Sequence, residues 1–512
     1  MLVNKLPDNF DELKKLIRKL SIEISNRDRE IEILREELRL ERMRQFAAKS
    51  EKLPAGDQGC LFDEVEVESS KPGEDSLPEV TEVPAHKRVR GKRKPLPDDL
   101  PREDVVIDLS EEEKICAKDG AALKEIGSDV SEKLDVIPAQ IKVIRTIRKK
   151  YICPCCNDQA NIKTAPMPES ILPKSNATAG LLSYIATSKY VDALPLYRIE
   201  DIFTRYGIEL PRNTMARWMI EMCEKLIPVY NLLEEDLLAS DYISCDETTV
   251  QVLHEAGKSA ESKSYMWVRC RHGTGVNPIV LFEYDPTRSK TVPTRLLEGF
   301  TGYLQVDGYA GYDEFCNREG VIRVGCMAHV RRKFVDAYKA SGKKSSSADW
   351  VLKRIQALYK IESEIKEKSS SERHAARQTQ SRPILDGIKT WLDENQSKYP
   401  PSGLMGKAIT YAQNQWKYVL NYLKDGRLAV DNNFTENRIR PFALGRKNWL
   451  FSDSVNGVKA SALIYSILQS ARANGLEPYA YMRHLLTELP KCKTHEDIEI
   501  LLPHKLDYRI LN

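Results

Sequence analysis

The sequence predicts a multidomain α/β protein, and three observations support this fold class. The chain has 512 residues, 41% of them hydrophobic, which is enough for several domains with a sizeable core. A seven-residue apolar repeat near the N-terminus predicts a long helix that pairs with another helix. Residues 241–334 follow the order strand, strand, strand, helix, strand, which is typical of an α/β sheet.

Composition excludes some classes of protein. The net charge of +3 is nearly balanced, so any nucleic-acid binding must come from clustered cations. No apolar run approaches the roughly 18 residues of a membrane span. The N-terminus lacks a secretory hydrophobic region, and we expect a cytoplasmic protein. The 11 cysteines are an odd number in a long chain, which favours free thiols and metal ligands over disulfides.

The heptad repeat begins at Phe10 and extends to about Glu41. Its first apolar position is mostly isoleucine and its second is leucine, which favours a parallel two-stranded coiled coil. Arg27 and Glu41 interrupt the seam. We therefore predict a dimerisation coiled coil over residues 1–46, with a helix packed on the protein's own body as the alternative. The seam residues are Phe10, Ile17, Ile24, Ile31 and Leu38 at the first position and Leu13, Leu20 and Leu34 at the second.

Residues 47–101 combine acidic runs with Pro, Gly and Ser, and this composition predicts a disordered linker. The linker ends in a basic arm, HKRVRGKRKPLP. Such an arm suits contacts with phosphates or a narrow minor groove, whereas a solvated linker without a partner is the alternative. Its predicted DNA-binding residues are Arg88, Arg90, Lys92 and Arg93.

Residues 102–159 form a small predicted domain with Cys116 near its start and a Cys-x-x-Cys pair, Cys153 and Cys156, near its end. That pair has the spacing of a zinc knuckle. A helical region, 160–240, follows. Within it, LYRIEDIFTRYGIELPRNTMARWMIEM predicts a helix, a turn at Gly207 and a second helix capped by Asn213 or Thr214.

This outline is that of a helix-turn-helix. Arg212, Asn213 and Arg217 near the start of the second helix are residue types suited to phosphate and base-edge contacts. An ordinary helical hairpin has the same pattern, and Met215 and Trp218 are expected in the core.

Three carboxylates stand out further along the chain. Asp246 and Asp307 each follow a β-rich run, where a buried charge is costly unless it is hydrogen-bonded or binds a cation. Glu436 lies on a predicted helix rich in cations, shortened by Pro441. If the three converge, their oxygens would hold two Mg²⁺ ions for phosphodiester chemistry. The alternative for Glu436 is a surface salt bridge with Arg440.

The segments CDETTVQVL, LQVDGYAGYD, GCMAHVRRKF and DNNFTENRIRPFALGRKNWLF occur in this order. Together they resemble the DDE transposases of the insertion sequence 66 family, from about residue 87 to the C-terminus. The resemblance implies an RNase H-like catalytic core with the acidic triad on Asp246, Asp307 and Glu436. Their neighbours Glu247, Asp313 and Asp431 are the alternatives.

In this interpretation the core comprises residues 241–334 and 431–475, separated by a helical insertion at 335–430 and followed by a C-terminal extension at 476–512. The implied protein is a homodimeric transposase. It would bind the terminal inverted repeats of its element and use two Mg²⁺ or Mn²⁺ ions to cleave and transfer strands, with accessory proteins from the same element as further partners. The runners-up are a nuclease on the same core and a dimeric DNA-binding regulator without catalysis.

Further DNA contacts are predicted on two basic segments. Cys326-x-x-His329 also has a metal-binding outline, but the sequence offers no second pair nearby, so the basic neighbours favour a phosphate contact. The predicted contacts are His329, Arg331 and Arg332 after a strand, and Arg438, Arg440, Arg446 and Lys447 after Glu436.

The predicted knuckle departs from the family pattern at one ligand. Asp119 stands where the family carries the second cysteine of a front Cys-x-x-Cys pair. Zinc would then be held by Cys116, Cys153 and Cys156 with Asp119 or Cys155 as the fourth ligand; a knuckle folded without metal is the alternative.

We expect Asp119→Cys to raise zinc affinity and stabilise the isolated segment 102–159, because thiolate is a softer ligand than carboxylate. Cys155→Ser should change little. Metal content and chelator competition on the three versions decide this. A wild-type segment that stays folded in excess chelator would contradict the zinc assignment.

Overall fold

The computed structural model describes residues 10–46, 141–151, 163–273, 275–342 and 345–511. The chain divides into two compact units, one of Lys71–Met167 and one of Met1–Ser70 with Pro168–Asn512. The predicted basic arm and the knuckle ligands lie outside the described residues. In the smaller unit, the described part contains a short antiparallel pair, β1 (Lys150–Tyr151) with β2 (Lys163–Thr164).

The larger unit is built on a mixed sheet with the strand order β5-β4-β3-β6-β7. Strands β3, β4 and β5 are antiparallel neighbours, whereas β6 pairs parallel with β3 and β7 pairs parallel with β6. An additional strand, β8, pairs with the far end of β3. The strands are β3 (Tyr242–His254), β4 (Lys263–Arg271), β5 (Ile279–Asp285), β6 (Gly302–Gln305), β7 (Val321–Val324) and β8 (Ser452–Ser454).

Helices that precede the sheet strands in the sequence and helices that follow them pack with the sheet in one hydrophobic core. One of them, α13 (Val455–Ala473), covers the edge strand β5. The hydroxyl groups of Ser466 and Ser470 on α13 accept hydrogen bonds from the backbone N–H groups of Phe282 and Val280 at 2.7 and 2.9 Å. These helices are α2 (Ala179–Tyr190), α3 (Leu196–Arg205), α4 (Arg212–Leu238), α12 (Asn433–Trp449), α13 (Val455–Ala473) and α14 (Pro478–Glu488).

A second hydrophobic core lies between one edge of the sheet and the helices that follow β7 and precede α12 in the sequence. Phe334 of α7 and Leu358, Leu392 and Trp416 of the following helices are buried there. The helices are α7 (Met327–Ala340), α8 (Ser346–Glu364), α9 (Ser370–Ala376), α10 (Arg382–Asn395) and α11 (Leu404–Val419). Shorter helices complete the unit: α5 (Thr291–Leu296), α6 (Asp313–Cys316) and α15 (His495–Glu499).

Two helix boundaries differ from the expectation. Helix α12 continues through Pro441 to Trp449, so the prediction of a short helix is wrong. Proline removes one backbone donor, and the packing of Phe442 and Ile439 in the core offsets that loss. Helix α4 begins at Arg212 after Pro211, which supplies the N-cap without a side-chain bond, instead of at a cap on Asn213 or Thr214.

Helix α1 (Phe10–Phe46) has two distinct faces. Near its C-terminal end, Ile33, Glu37 and Leu40 share one face and approach α7 and α11; Leu40 is buried, and Glu37 pairs with Lys407 at 2.7 Å. The heptad seam lies on another face, and its residues from Ile17 to Leu38 are exposed where the structure describes their side chains, with Ile24 59% and Ile31 46% accessible. Burying this seam in a dimer would remove apolar surface from water. Across the described ranges, no helix is long and apolar enough to cross a membrane.

We expect the double change Ile24→Asp and Ile31→Asp to dissociate a coiled-coil dimer, because each charge would be desolvated in the seam without a partner. Analytical ultracentrifugation should then show a smaller species. Ile22→Asp is a matched control, since Ile22 is 63% exposed but lies off the seam. An unchanged mass of the double variant would show that the seam is not the dimer contact.

Candidate active site

Asp246 lies in the middle of β3, opposite Val268 of β4 in the ladder. The preceding residues Ile243 and Cys245 are buried in the core, so the pleat fixes the direction of the Asp246 side chain. Burial raises the pKa of the Asp246 carboxyl well above its usual range, and the nearby charges of Glu247, Glu436 and Asp307 raise it further. Carboxylates from three separate segments therefore lie close together.

Asp307 follows β6, in a turn that orients its side chain. The carboxylate accepts a hydrogen bond from the Tyr309 backbone at 2.9 Å, and Arg323 donates to the Asp307 carbonyl oxygen at 2.6 Å. The next residue is Gly308, where a Cβ atom would lie 2.8 Å from the Tyr411 hydroxyl. Glycine therefore allows the close approach of Tyr411 behind the aspartate.

Glu436 lies in the first turn of α12, beside two side chains of α7. Its Oε1 is 3.8 Å from His329 Nδ1, and its Oε2 is 3.5 Å from Arg332. Burial raises the pKa of Glu436, while the charge of Arg332 opposes that rise. Burial and Arg332 also lower the pKa of His329 to about 4. Among the described residues, nothing donates a hydrogen bond to the buried Oε1.

The three neighbouring carboxylates have protein partners of their own. Glu247 accepts from Arg288 at 2.7 Å and from Tyr312 at 2.8 Å. Asp313 pairs with Arg323 at 2.5 Å. Asp431 accepts from the backbone and the side-chain amide of Asn433, and Tyr359 also bonds to it.

Contacts between α12 and β3 bring the site together. Asn432 donates to the Cys245 carbonyl at 3.0 Å, directly before Asp246. Ser244 and Thr435 hydroxyls lie 2.6 Å apart, directly before Glu436. Sequence analysis did not find either contact, because single polar residues such as Ser244 or Thr435 are common and carry no motif. It also did not find Arg288, Tyr312 and Tyr359, the side chains that bind Glu247 and Asp431.

The resulting group of Asp246, Asp307 and Glu436 is an oxygen donor set that fits a hard divalent cation. Like charges raise the pKa of Asp246, and a cation would remove this repulsion. Carboxylates held by a sheet and a helix need little rearrangement to bind it. The unpaired Oε1 of Glu436 supports the same interpretation, since a buried acceptor without a partner is costly.

The predicted DNA contacts differ in their surroundings. Arg212, Asn213 and Arg217 are exposed at the start of α4, where Arg217 lies 3.7 Å from Glu221. On α7, Arg332 is exposed beside Glu436. The positions on α12 are partly engaged within the protein.

Arg438 lies over the Phe434 ring, 5.0 Å from its centroid. Arg446 donates to the Thr249 carbonyl and hydroxyl of β3. Arg331, Arg440 and Lys447 also have interaction partners.

Comparison with known protein families covers most of the chain. The model described as "Transposase IS66 family" matches residues 174–460, and the "zinc-finger binding domain of transposase IS66" matches residues 113–157. The "IS66 C-terminal element" matches residues 466–504, and "Transposase C of IS166 homeodomain" matches residues 33–105. These matches indicate a DNA-binding transposase that includes a zinc-finger domain.

Two relatives from Sinorhizobium fredii extend this likeness. The chain is 34% identical to the uncharacterized protein y4jD over 419 residues, which is 80% of this chain and 81% of that protein. It is 32% identical to the uncharacterized protein y4qI over 389 residues, 74% of this chain and 71% of that protein. The chain therefore belongs to the IS66 transposase family.

Proposed function

We propose that this chain cleaves DNA at the ends of its own insertion element and joins the freed 3′-hydroxyl to target DNA, with Asp246, Asp307 and Glu436 as the catalytic residues. The observation that carries the proposal is that these three carboxylates, from β3, the turn after β6 and α12, lie close enough for the charges of Glu436 and Asp307 to add to the effect of burial on the pKa of Asp246. The engagement of Glu247, Asp313 and Asp431 by protein partners supports this choice among the acidic residues.

We propose an RNase H-like core for the sheet. Three antiparallel strands followed by two parallel strands, in the order β5-β4-β3-β6-β7, support it. In this arrangement Asp246 lies on the central strand, Asp307 follows the strand beside it, and Glu436 arrives on a helix after the insertion. The domain limits predicted from the sequence, including the insertion at 335–430, are part of the same proposal.

The three carboxylates would hold two Mg²⁺ or Mn²⁺ ions, which activate an attacking water or 3′-hydroxyl and stabilise the leaving oxygen. The protein itself fixes the positions of the three carboxylates. Asp246 is constrained by the ladder of β3, Asp307 by the turn at Gly308, and Glu436 by the first turn of α12. Arg332 sits beside Glu436, where a guanidinium suits a DNA phosphate.

DNA would be bound by surfaces apart from the carboxylates. The exposed start of α4 offers Arg212, Asn213 and Arg217, and the basic arm before the zinc-finger domain adds Arg88, Arg90, Lys92 and Arg93. We propose that these surfaces recognise the terminal inverted repeats. The exposed seam of α1 supports a homodimer, which matches the two ends of an element.

We expect Asp246→Ala, Asp307→Ala and Glu436→Ala each to lower the rate of end cleavage by at least about 100-fold, the scale on which an electrostatic stabiliser of a transition state acts. Binding of a labelled terminal-repeat duplex should stay near wild type, because the recognition surfaces are separate. Retained cleavage in any variant, or lost binding in all three, would refute the assignment.

Asp349→Ala is a matched control for this series, since Asp349 pairs with Lys353 on α8 and is not a proposed ligand. It should keep cleavage within a few-fold of wild type. Mn²⁺ should raise the melting temperature of the wild type but not that of Asp246→Ala. A purified protein that cuts ends without joining them would instead be the nuclease on the same core.

We expect Arg212→Ala with Arg217→Ala to weaken DNA binding and to flatten the slope of log affinity against log salt by about 1 per lost phosphate contact. Glu221→Ala is the control, because it removes the partner of Arg217 without removing a cation. If the slope of the double variant equals that of wild type, the start of α4 does not contact DNA.

A further inference from the structure

A cysteine and a histidine at the start of α7 lie beside the proposed catalytic glutamate. The sulfur of Cys326, a ring nitrogen of His329 and a carboxylate oxygen of Glu436 all fall within 4.8 Å of one another. Cys326 and His329 are three positions apart, on either side of the helix start, so one helical turn directs both toward α12. Together with the Glu436 oxygen they form a mixed donor set, of which the sulfur and the imidazole are not used by the proposed Mg²⁺ site.

Two of these donor atoms lack partners. His329 Nδ1 and Glu436 Oε1 are both buried, stand 3.8 Å apart, and form no hydrogen bond with any described residue. Two unsatisfied buried polar atoms facing each other are costly in a folded protein. A cation between them would satisfy both atoms at once.

The third donor is the Cys326 thiol; burial and the charges of Asp431 and Glu436 raise the pKa of this thiol, and two contacts oppose that rise. Cys326 is the N-cap residue of the 14-residue helix α7, so its sulfur lies at the positive end of the helix dipole. The Asn432 backbone N–H donates to the sulfur at 3.2 Å. Metal binding would release the thiol proton to the buffer, and the charge of the cation would offset the burial and carboxylate repulsion that otherwise disfavour the thiolate.

The spacing suits a tetrahedral ion. Zinc bonds of about 2.0–2.3 Å place neighbouring ligand atoms roughly 3.5 Å apart. The His329 and Glu436 atoms, 3.8 Å apart, are already near this separation, and the remaining pairs, all within 4.8 Å, need a shift of at most about 1.3 Å. Sulfur and imidazole select Zn²⁺, Co²⁺ or Cd²⁺ and discriminate against Mg²⁺.

We propose that Cys326, His329 and Glu436 form a binding site for Zn²⁺ or another soft divalent cation, with the fourth position open. The site shares Glu436 with the proposed Mg²⁺ pair. If the proposed catalytic role of Glu436 holds, a soft ion here withdraws that ligand and inhibits cleavage. The inhibition rests on the proposed function, whereas the binding does not.

The binding is tested on the full chain, stripped of metal and reloaded with Co²⁺. Wild type should retain about one more equivalent after gel filtration than Cys326→Ser, and its thiolate-to-cobalt absorption should be correspondingly stronger. The zinc-finger domain contributes equally to both proteins. Cys223→Ser is the matched control, because Cys223 is a similarly buried cysteine of α4 whose thiol donates to the Ala460 carbonyl and which is not one of the three donors, so this variant should keep the full metal content.

Equal cobalt content and spectra in wild type and Cys326→Ser would overturn the site. If circular dichroism shows that Cys326→Ser does not fold, His329→Gln decides the question by the same measurement, because it removes a donor from a half-buried position.

The inhibition is tested by titrating Zn²⁺ into Mg²⁺-dependent end cleavage, each protein compared with its own zinc-free rate. The half-inhibiting concentration should rise at least tenfold in Cys326→Ser and stay unchanged in Cys223→Ser. Bound cobalt without zinc inhibition would overturn the regulatory part. Absence of any cleavage would instead count against the proposed function and leave the binding result standing.

Discussion

The hydrogen bonds between the start of α12 and strand β3 hold the candidate site together. Asn432 donates a hydrogen bond to the Cys245 carbonyl, and the hydroxyl groups of Ser244 and Thr435 are hydrogen-bonded. Asp246 follows Cys245 and Glu436 follows Thr435, so these two bonds hold the two carboxylates near each other. All of these bonds are buried, where an unpaired polar group costs more than it would at the surface. Loss of either contact would weaken the attachment of the start of α12 to β3, and with it the position of Glu436.

The helices between β7 and α12 also reinforce this junction. Arg377 is completely buried and uses all five of its N–H donors. Two bind Glu362 at 2.7 and 2.8 Å, and three bind the carbonyl oxygens of Tyr422, Asp425 and Leu428 in the segment that leads to α12. Removing one member of such a buried pair typically costs about 3–5 kcal/mol. These bonds therefore fix the segment that leads into α12, the helix that carries Glu436.

Electrostatic repulsion is concentrated at the point where these elements meet. Burial and neighbouring carboxylates raise the pKa of both Asp246 and Glu436. Repulsion between these carboxylates destabilises the fold unless a cation binds among them. Three residues of α7 and its N-cap lie beside Glu436: Arg332, His329 and Cys326. The proposed DNA contact, the proposed Mg²⁺ ligands and the proposed soft-metal site are therefore neighbours at the start of this helix.

The sequence by itself determined the strands around Asp246 and Asp307, the heptad face of α1 and the family, because period, turn chemistry and motif order are local properties. The tertiary structure alone decided that Glu247, Asp313 and Asp431 have side-chain partners, that α12 continues through Pro441, and that α1 has a second face against α7 and α11. Ser244 and Thr435 are 191 positions apart, and no local propensity encodes their meeting. Such contacts depend on how completed elements pack, since burial of the whole core outweighs the preference of a single proline or cap residue.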